Sequence, residues 1–398
     1  MISLELNSVD IVLLSTLAVL FLGQLYFYAR YIDAPARKMR HDKMSEGIEP
    51  LTIEGTPGVS VVLCAHNESY NLSNYLQALL TQDWPEYEVI VVDDGSEDDT
   101  RAVVESYMVR DPRLHMTFVP YGARVGSTKK LALTLAAKAA QYDYLLLTDA
   151  DCVPESNRWI REMMRGFGGN KDIVLGFSPY FAEKGHINRL VRYDTLFNGL
   201  HYLGAALCGH PYMGVGRNLA YRKDFFFETG GFTHLMTSRA GDDDLFVNHV
   251  ATKKNTAVVL SRDSYTWSVA KKTMKEWWQQ KRRHVSVSPS YRESTKFRLA
   301  LEPLTRGLFY VLVLAMLILY FPQIQIWPFE MSPIAIPFLA AIGLFLLRWW
   351  IQTGIINAAA HKMRVKRFST WSVLWFDIAL PLVNLYMLIV PQRKNNKW

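Results

Sequence analysis

The sequence predicts an α/β domain on a largely parallel sheet, with one transmembrane helix before it and two or three after it. Two observations predict this fold class. Apolar strand-like runs alternate with helical patterns between residues 59 and 148, and stretches long enough to cross a bilayer lie near both ends. The predicted organisation is an anchor over 1–30, a linker over 31–58, an α/β domain over 59–300 and a membrane region over 301–398.

The first apolar segment covers residues 9 to 28 and carries a single charge, Asp10. About 20 such residues cross the hydrocarbon core of a bilayer. Basic residues follow the segment from Arg30 onward, whereas a cleavable signal peptide has them in front. We therefore expect a retained anchor. Because cytoplasmic flanks are rich in Lys and Arg, the pattern predicts an external amino terminus and a cytoplasmic domain.

Three further apolar segments, 308–321, 334–356 and 371–390, follow the domain. A loop with Glu330 and no Lys or Arg separates the first two, and a basic run over 361–367 follows the second. This pattern predicts that the loop lies outside the membrane and the basic run lies in the cytoplasm. The last segment would then export a basic tail, so either it does not fully cross or the tail is an exception. The whole pattern predicts a multi-pass protein of a bacterial-type inner (plasma) membrane.

The net charge is +7 and the pI is about 9.1. The basic residues concentrate beside the apolar segments and near residues 271–298, which favours attraction to membrane lipids and predicts no nucleic-acid partner. The three cysteines have no metal-like spacing, so reduced cytoplasmic thiols are expected.

The α/β pattern begins after the linker, where proline and glycine mix with charges. The predicted strands are 59–65, 88–92, 114–119 and 142–148, and the predicted helices are 72–80, 100–109 and 131–140. Strands that alternate with helices form parallel sheets, and such sheets bind ligands at the carboxyl edge. From about 186 to 235 glycines and aromatic residues loosen the pattern, as expected of a region that faces substrate.

Two carboxylates follow the last predicted strand, Asp149 and Asp151. Residues two apart on a strand share a face, so both side chains point in one direction. Hard oxygen ligands suit Mg²⁺ or Mn²⁺, which would neutralise a substrate diphosphate. The alternative is a strand-to-loop cap without metal.

Three successive carboxylates, Asp242, Asp243 and Asp244, repel one another. A fold keeps them together where cations or substrate donors offset that repulsion. One of them could serve as a general base on a hydroxyl group.

Other polar clusters follow the first two strands or precede the membrane region. Residues 65–68 and 93–96 lie where ligands bind, although turn chemistry explains Asp, Gly and Ser equally well. Residues 277–284 combine aromatic, amide and basic side chains, which suits phosphate and sugar contacts or a helix lying on anionic lipid. The glycine-rich turn at 214–218 is weak evidence for a ligand site.

The order of these motifs resembles family 2 glycosyltransferases of the GT-A fold, a Rossmann-like nucleotide-binding domain, in the membrane-embedded branch that includes cellulose and hyaluronan synthases. The resemblance covers residues 59 to 284. It implies roles for the following residues. Donor contacts fall on Ala65, Asn67, Glu68, Asp93, Asp94, Lys130 or its neighbour Lys129, Asp149, Gln280 and Arg283; metal contacts fall on Asp149 and Asp151, with Asp151 favoured as the direct ligand.

The same resemblance makes Asp243 the base, beside Asp242, and puts Asn218 and His284 on the acceptor side. The family usually has Trp where this chain has His284, and that departure argues against processive polymer synthesis. The implied function is inverting transfer from a nucleotide-diphosphate sugar, with a UDP-sugar favoured, to a lipid or glycan hydroxyl in cell-envelope synthesis. A processive polysaccharide synthase and an inactive nucleotide-binding scaffold are the alternatives.

Overall fold

The computed structural model describes residues 6–45, 55–120, 127–236, 241–321 and 335–390. Within these ranges the strands are β1 (Val59–Ala65), β2 (Tyr87–Asp93), β3 (Leu114–Phe118), β4 (Tyr144–Leu147), β5 (Cys152–Pro154), β6 (Ile173–Leu175), β7 (Leu219–Arg222), β8 (Thr256–Val258) and β9 (Thr266–Ser268). Part of the predicted linker (46–54), the loop that contains Glu330 and the basic tail lie outside the described residues.

The helices fall into a domain set and a set at the two ends of the chain. The domain helices are α3 (Ser69–Leu80), α4 (Thr100–Met108), α5 (Thr128–Ala139), α6 (Trp159–Met164), α7 (His186–Leu207), α8 (Lys223–Glu228), α9 (Asp244–Val250) and α10 (Met274–Val285). The others are α1 (Ser8–Phe27), α2 (Ala34–Ser45), α11 (Glu293–Tyr320), α12 (Ala335–Lys362) and α13 (Thr370–Ile389).

Seven strands form one mixed sheet in the order β3-β2-β1-β4-β7-β6-β8. The half built from β3, β2, β1 and β4 is parallel, with Val59 opposite both Tyr87 and Tyr144. β7 then runs antiparallel to β4 and β6. The predicted α/β fold class is confirmed, and the predicted strands agree with the observed ones within two residues at each end.

The central strands are apolar almost throughout because helices cover both faces of the sheet. In β1 the alternating side chains enter two different cores, with Val62 in one and Val61 in the other. Strands buried on both faces read as continuous hydrophobic runs rather than alternating ones. This explains why β1 and β2 can be predicted from their hydrophobic pattern in the sequence.

Helix α7 occupies the stretch in which the sequence pattern loosens. Its glycines are packing contacts rather than helix breaks. A Cβ on Gly204 would lie 1.9 Å from the carbonyl oxygen of Tyr31, and one on Gly199 would lie 2.5 Å from the ring of Phe177. Glycine therefore lets α7 approach the end of the amino-terminal helix and the sheet closely.

Most of the predicted linker that the structure describes is helical. A π-helix at Tyr28–Ile32 continues α1, and α2 follows it. Pro35 sits in the first turn of α2, where proline is tolerated, and ion pairs such as Lys38 with Asp42 at 3.0 Å support the exposed face. This part of the predicted linker is therefore helical.

Four helices are long and apolar enough to cross a membrane by length and composition, spanning Ser8–Asp42, Glu293–Tyr320, Ile336–Lys362 and Thr370–Ile389. The second begins well before the predicted start at 308. Helices α1, α11 and α12 pack through one apolar cluster that includes Leu17, Phe309 and Ala341. Their outward faces expose large apolar side chains, as lipid-facing surfaces do.

A buried polar network joins these helices around Asp377 of α13. Its carboxylate pairs with Arg306 of α11 at 2.7 Å and with Arg348 of α12 at 2.9 Å, and it accepts a hydrogen bond from Tyr310 at 2.6 Å. Arg348 also donates to Gln24 of α1 at 3.0 Å. Ionised groups buried in a protein interior are stable when they are paired with one another.

Both halves of α13 contact the α/β domain. Near its start, the ring of Phe376 lies 5.0 Å from that of Tyr193 in α7. Near its end, Tyr386 lies 5.9 Å from Trp278 in α10, and the carbonyl of Val390 accepts a hydrogen bond from Arg282 at 3.4 Å. A helix of 20 residues is about 30 Å long, so α13 extends along the domain.

Candidate active site

Three parallel strands end at one edge of the sheet and carry the predicted motifs. β2, β1 and β4 are neighbours, and their carboxyl ends lead into Asp93, Ala65 and Thr148. The acidic run 242–244 reaches the same place at the start of α9. The ends of β1 and β4, helix α5 and the acidic run line a cleft of about 270 Å³ whose walls include Lys129, Asp149, Asp242 and Asp243.

Lys129 joins two of the predicted acidic motifs. Its Nζ lies 3.1 Å from Asp149 Oδ1 and 3.2 Å from Asp242 Oδ2. Burial opposes its positive charge, but the carboxylates of Asp149, Asp242 and Asp243 raise its pKa well above the ordinary value. The repulsion among the acidic residues is therefore offset by a fixed cation.

The choice of Lys130 as the donor-side lysine is wrong. The side chain of Lys130 is fully buried, and its Nζ donates to the carbonyl oxygen of Leu235 at 2.8 Å. Consecutive helical residues point about 100° apart, so one of the pair faces the cleft and the other faces the core. Ser127, which caps α5 by accepting a hydrogen bond from the Lys130 amide, helps to fix that orientation.

We expect Lys129→Met to lower donor turnover by about 10²–10³-fold, because it removes a fixed positive charge beside the reacting groups. Lys130→Met is the matched control, since it changes the adjacent residue in the same way outside the cleft. Steady-state kinetics on both variants checks this. Loss of turnover in Lys130→Met together with normal turnover in Lys129→Met would contradict the assignment of Lys129 to the cleft.

Asp243 is held in the ionised state. Its Oδ2 accepts a hydrogen bond from the Gly216 amide at 2.6 Å, and its Oδ1 accepts one from the Asp244 amide at 2.9 Å. Burial alone would raise its pKa. The hydrogen bond with the Asp244 carboxyl, the charge of Lys129 and the Gly216 amide outweigh that effect and lower the pKa to about 2.

The two neighbours of Asp243 behave oppositely. Burial and the nearby charge of Asp243 raise the pKa of Asp244 well above its usual range, which favours the neutral form of this buried side chain. Its carboxyl group also accepts a hydrogen bond from the hydroxyl of Tyr291 at 3.2 Å. Burial also raises the pKa of Asp242, against the effect of Lys129. The three acids therefore differ: Asp242 pairs with Lys129, Asp243 is the ionised carboxylate of the cleft, and Asp244 is a buried structural residue.

The residues after β1 and β2 build a tight double turn. Asp93 accepts a hydrogen bond from the Ser96 amide at 3.0 Å, and Asn67, at φ 57°, accepts one from the Glu97 amide at 2.8 Å. Ala65 is buried, and its carbonyl accepts the Asp94 amide at 2.8 Å. These three residues therefore shape the loop through turn chemistry, which was the alternative explanation for them.

Asp94 and Glu68 keep partly open carboxylates at this edge. Asp94 accepts a hydrogen bond from Thr128 at 2.6 Å, and burial raises its pKa. Glu68 accepts one from Asn71 at 2.5 Å. Burial raises the pKa of Glu68, and the charges of Asp151 and Asp149 raise it further, which places all three carboxylates in one neighbourhood.

The carboxylates of Asp149 and Asp151 can supply part of a metal site. Within the described ranges no group of three or more His, Cys, Asp or Glu side chains is arranged to hold a metal alone. Mg²⁺ in nucleotide sites is commonly bound by one or two carboxylates together with substrate phosphates. The side chain of Asp149 is one-third exposed and Asp151 is partly exposed, so this donor set fits such a shared site.

Gln280 is linked to Arg217 through a tyrosine. Its Nε2 donates to the hydroxyl of Tyr180 at 3.0 Å, and the guanidinium of Arg217 lies 4.3 Å from the centre of the Tyr180 ring. Burial opposes the charge of Arg217, but Tyr180, Cys152, Asp151 and Asp149 raise its pKa. Its Nη1 is buried and has no partner among the described residues.

Arg217 is a candidate that sequence reasoning missed. It lies within the glycine-rich turn at 214–218 and offers a cation beside Asp149 and Asp151, with an unused donor. A guanidinium suits phosphate oxygens. The signal available in the sequence was a single arginine within that turn, which is too common a feature to identify a site by itself.

The acceptor-side prediction for Asn218 is wrong. The side chain is fully buried and bonds to Trp159 at 3.1 Å and to the carbonyl oxygens of Phe177 and Ser264 at 2.8 and 2.7 Å. Its side-chain oxygen and nitrogen are both used in these buried hydrogen bonds, so Asn218 cannot contact an acceptor.

His284 and Arg283 end helix α10, whose start is capped by Thr273 and Glu276. Both keep solvent access. Loss of hydration lowers the pKa of His284, and the positive charges of Arg283 and Lys281 lower it further, to about 4. The negative charge of Asp243 acts in the opposite direction. His284 therefore offers a neutral imidazole near the acidic cluster at neutral pH.

Comparisons with known proteins agree on one enzyme class. The sequence profile described as Glycosyl transferase family 2 matches residues 60–229, and that of Glycosyl transferase family group 2 matches residues 145–389. A poly-beta-1,6-N-acetyl-D-glucosamine synthase of Staphylococcus epidermidis is 31% identical over 96 residues, which is 24% of this chain and 22% of that protein. A chondroitin synthase of Escherichia coli is 24% identical over 223 residues, 48% of this chain and 31% of that protein.

These alignments cover less than a third of either relative. Among solved structures, the mannosyltransferase PcManGT from Pyrobaculum calidifontis, in complex with GDP-Man and Mn²⁺, is 17% identical. That alignment covers 94% of this chain and 96% of the other, with a TM-score of 0.49.

Proposed function

We propose that this chain, which belongs to glycosyl transferase family 2, transfers a sugar with inversion from a nucleotide-diphosphate sugar to a hydroxyl group of a membrane-borne or glycan acceptor. One observation carries the proposal. Lys129 bridges Asp149 and Asp242 at the ligand-binding edge of the sheet, and the ionised Asp243 stands beside them. The site thus combines a cation that can contact a diphosphate, Lys129, with a carboxylate that can act as a base, Asp243.

In the proposed reaction the acceptor oxygen attacks the anomeric carbon of the donor. The bond from that carbon to the diphosphate oxygen breaks, and the nucleoside diphosphate leaves with the electron pair. Asp243 accepts the hydroxyl proton as the new bond forms. The negative charge of a bound diphosphate would raise the pKa of Asp243 and make it a stronger base than in the free protein.

Several chain groups would stabilise the departing diphosphate. Asp149 and Asp151 would hold Mg²⁺ or Mn²⁺, which when bound supplies Lewis-acid neutralisation of phosphate oxygens. Lys129 contributes a positive charge, and Arg217 contributes a guanidinium with a free donor. Arg283, which the family resemblance favours for this role, lies exposed at the end of α10 and would have to approach the donor when it binds.

The donor base and ribose would lie against the double turn after β1 and β2, with Asp94 as an open carboxylate and a UDP-sugar as the first donor to test. Gln280 acts by positioning the ring of Tyr180 under Arg217. His284 remains the acceptor-side candidate, because its ring is exposed and lies close enough to Asp243 for the charge of that carboxylate to affect its pKa.

We propose a multi-pass protein of an inner (plasma) membrane with the catalytic domain in the cytoplasm. Helices α1, α11 and α12 would cross the bilayer. Helix α13 would not cross, because contacts near both of its ends hold it to the catalytic domain. The basic tail would then stay in the cytoplasm, as its charge favours.

Processive polymer synthesis is the second candidate function. Both relatives above are named as polysaccharide synthases, which supports it. His284 in place of the usual tryptophan opposes it. Product length separates the two functions, because a polymer synthase makes a ladder of products and a single-transfer enzyme makes one defined species.

The test is a panel of nucleotide sugars incubated with detergent-purified full-length protein and with Mn²⁺, Mg²⁺ or a chelator. We expect release of nucleoside diphosphate from one donor, and loss of that release in the chelator. Equal turnover in the chelator would reject the proposed metal role. Nucleotide binding without any turnover, even with lipid and glycan acceptors present, would reject the transferase mechanism.

A further inference from the structure

The segment that enters helix α11 lies along one face of the short helix α9. The hydroxyl of Tyr291 donates to the carboxyl group of Asp244 at 3.2 Å. The backbone amide of Arg292 donates to the side chain of Asn248 at 2.9 Å, and its guanidinium donates to the carbonyl oxygen of Ala251 at 3.3 Å. The three contacted residues are spaced by four and three positions, so they share one side of α9 from its start to its end.

Asn248 is the central residue of this contact, and its side chain is fully buried. Its oxygen accepts the hydrogen bond from the Arg292 amide. Its nitrogen donates to the carbonyl oxygen of Tyr212 at 2.9 Å and to the hydroxyl of Thr295, in the first turn of α11, at 3.4 Å. One amide group therefore joins α9 both to the catalytic domain and to a candidate membrane helix.

The rotation of α9 about its axis decides where Asp243, the residue that caps its start, places its carboxylate. The helix has seven residues, and helices this short depend on tertiary contacts. Apolar packing is not directional, whereas hydrogen bonds are, so the bonds of Asn248 fix the rotation. Because Cα atoms lie about 2.3 Å from a helix axis, a rotation of about 20° moves them by about 0.8 Å. A displacement of about 1 Å can lower a catalysed rate about 10²-fold.

Helix α11 is itself fixed among the helices at the two ends of the chain. The carbonyl oxygen of Glu302 accepts a hydrogen bond from Gln24 of α1 at 3.2 Å, and Arg306 pairs with Asp377 of α13 at 2.7 Å. The start of the same helix contacts α9. A single continuous helix thus connects the polar network around Asp377 to the acidic cluster of the cleft.

We propose that Asn248 is a positioning residue, which uses the entry into α11 to hold Asp243 in its catalytic orientation. The hydrogen bond from the Gly216 amide to Asp243, at 2.6 Å, requires that orientation. The role of Asn248 rests on the proposed function of Asp243 as the base. It makes sugar transfer depend on how α11 is placed, although α11 contributes no residue to the cleft walls.

Steady-state kinetics of full-length Asn248→Ala tests this proposal, with the donor that the nucleotide-sugar panel identifies. We expect kcat to fall about tenfold or more, because Asp243 is no longer held in place, and KM for the donor to stay within a few-fold. In the Asp243→Asn background the same change should have little further effect, because the base that it positions is already absent. A residue that only stabilises the fold would lower both rates by the same factor.

Asn255→Ala is the matched control. The side chain of Asn255 donates to the carbonyl oxygen of Val250, the last residue of α9, at 3.1 Å and accepts from the Thr252 amide at 2.7 Å. This variant removes a hydrogen bond to α9 and leaves the contact between α9 and α11 unchanged. We expect its kcat to remain close to that of the unchanged protein.

An unchanged kcat in Asn248→Ala, an equal loss in Asn255→Ala, or the same factor lost in the Asp243→Asn background would each overturn the proposal. If Asn248→Ala fails to fold, Tyr291→Phe carries the test, because it keeps the ring and removes only the hydrogen bond to Asp244. The expected result is then a lower kcat at an unchanged KM, and an unchanged kcat would overturn the proposal. Full activity of Asp243→Asn would instead reject the proposed function, so the two failures are distinguishable.

Discussion

Asp243→Asn is expected to lower the rate of sugar transfer by about 10²–10⁴-fold, which is the usual contribution of a positioned general base. The amide keeps the size of the carboxylate and an oxygen that can accept the Gly216 amide hydrogen bond. We therefore expect the cleft to stay intact and nucleoside diphosphate to bind within a few-fold of the unchanged protein. Kinetics and calorimetric binding on the same preparation separate the two effects.

Asp244→Asn is the matched control, because it makes the same change at the adjacent residue. Asp244 is buried and accepts a hydrogen bond from Tyr291, and burial raises its pKa, which favours the neutral form; an amide of equal size therefore fits the same place in the core. We expect most of the activity to remain. If Asp244→Asn were as inactive as Asp243→Asn, the loss would reflect disruption of the α9 start rather than removal of a base.

Asp377→Asn is expected to destabilise the helix assembly by about 3–5 kcal/mol, because it leaves two buried arginines without their shared carboxylate. Arg306 and Arg348 are 7% and 2% exposed, and both pair with Asp377 at less than 3 Å. Thermal unfolding of the detergent-solubilised protein, followed by circular dichroism, measures the effect.

Asp33→Asn provides the comparison. Asp33 is also a carboxylate shared by two arginines, Arg37 at 3.0 Å and Arg40 at 3.3 Å, but the side chains of both arginines are more than 40% exposed. Exposed ion pairs contribute about 0–1 kcal/mol, so this variant should unfold close to the unchanged protein. Equal losses in the two variants would contradict the importance of burial in the Asp377 network.

The first half of the sheet could be predicted because its strands are apolar runs that end in turn residues. The ends of β1, β2 and β4 also placed the predicted motifs at one edge, since the carboxyl ends of parallel neighbours lie on the same side of the sheet. The pairing of Lys129 with Asp149 and Asp242 could not be read from the sequence. Two adjacent lysines look alike until the tertiary structure decides which one faces the carboxylates.

The other misses have the same origin in tertiary contacts. Glycine is a weak helix former, so the pattern of α7 was hidden until the close approach of Gly204 to Tyr31 explained it. Asn218 reads as a polar residue of a flexible turn, yet it closes three core hydrogen bonds. The sequence left open whether the segment of α13 crosses the membrane, since it has the composition of a span; its contacts with α7 and α10 are visible only in the structure.

The anomeric configuration of the first product, measured by NMR with the donor that the panel identifies, tests the central claim most directly. Direct attack by an acceptor hydroxyl deprotonated by Asp243 predicts a product whose configuration is opposite to that of the donor, and formation of that product about 10²–10⁴-fold more slowly by Asp243→Asn. A product that keeps the donor configuration would contradict the account, because it requires a mechanism other than a single displacement assisted by Asp243.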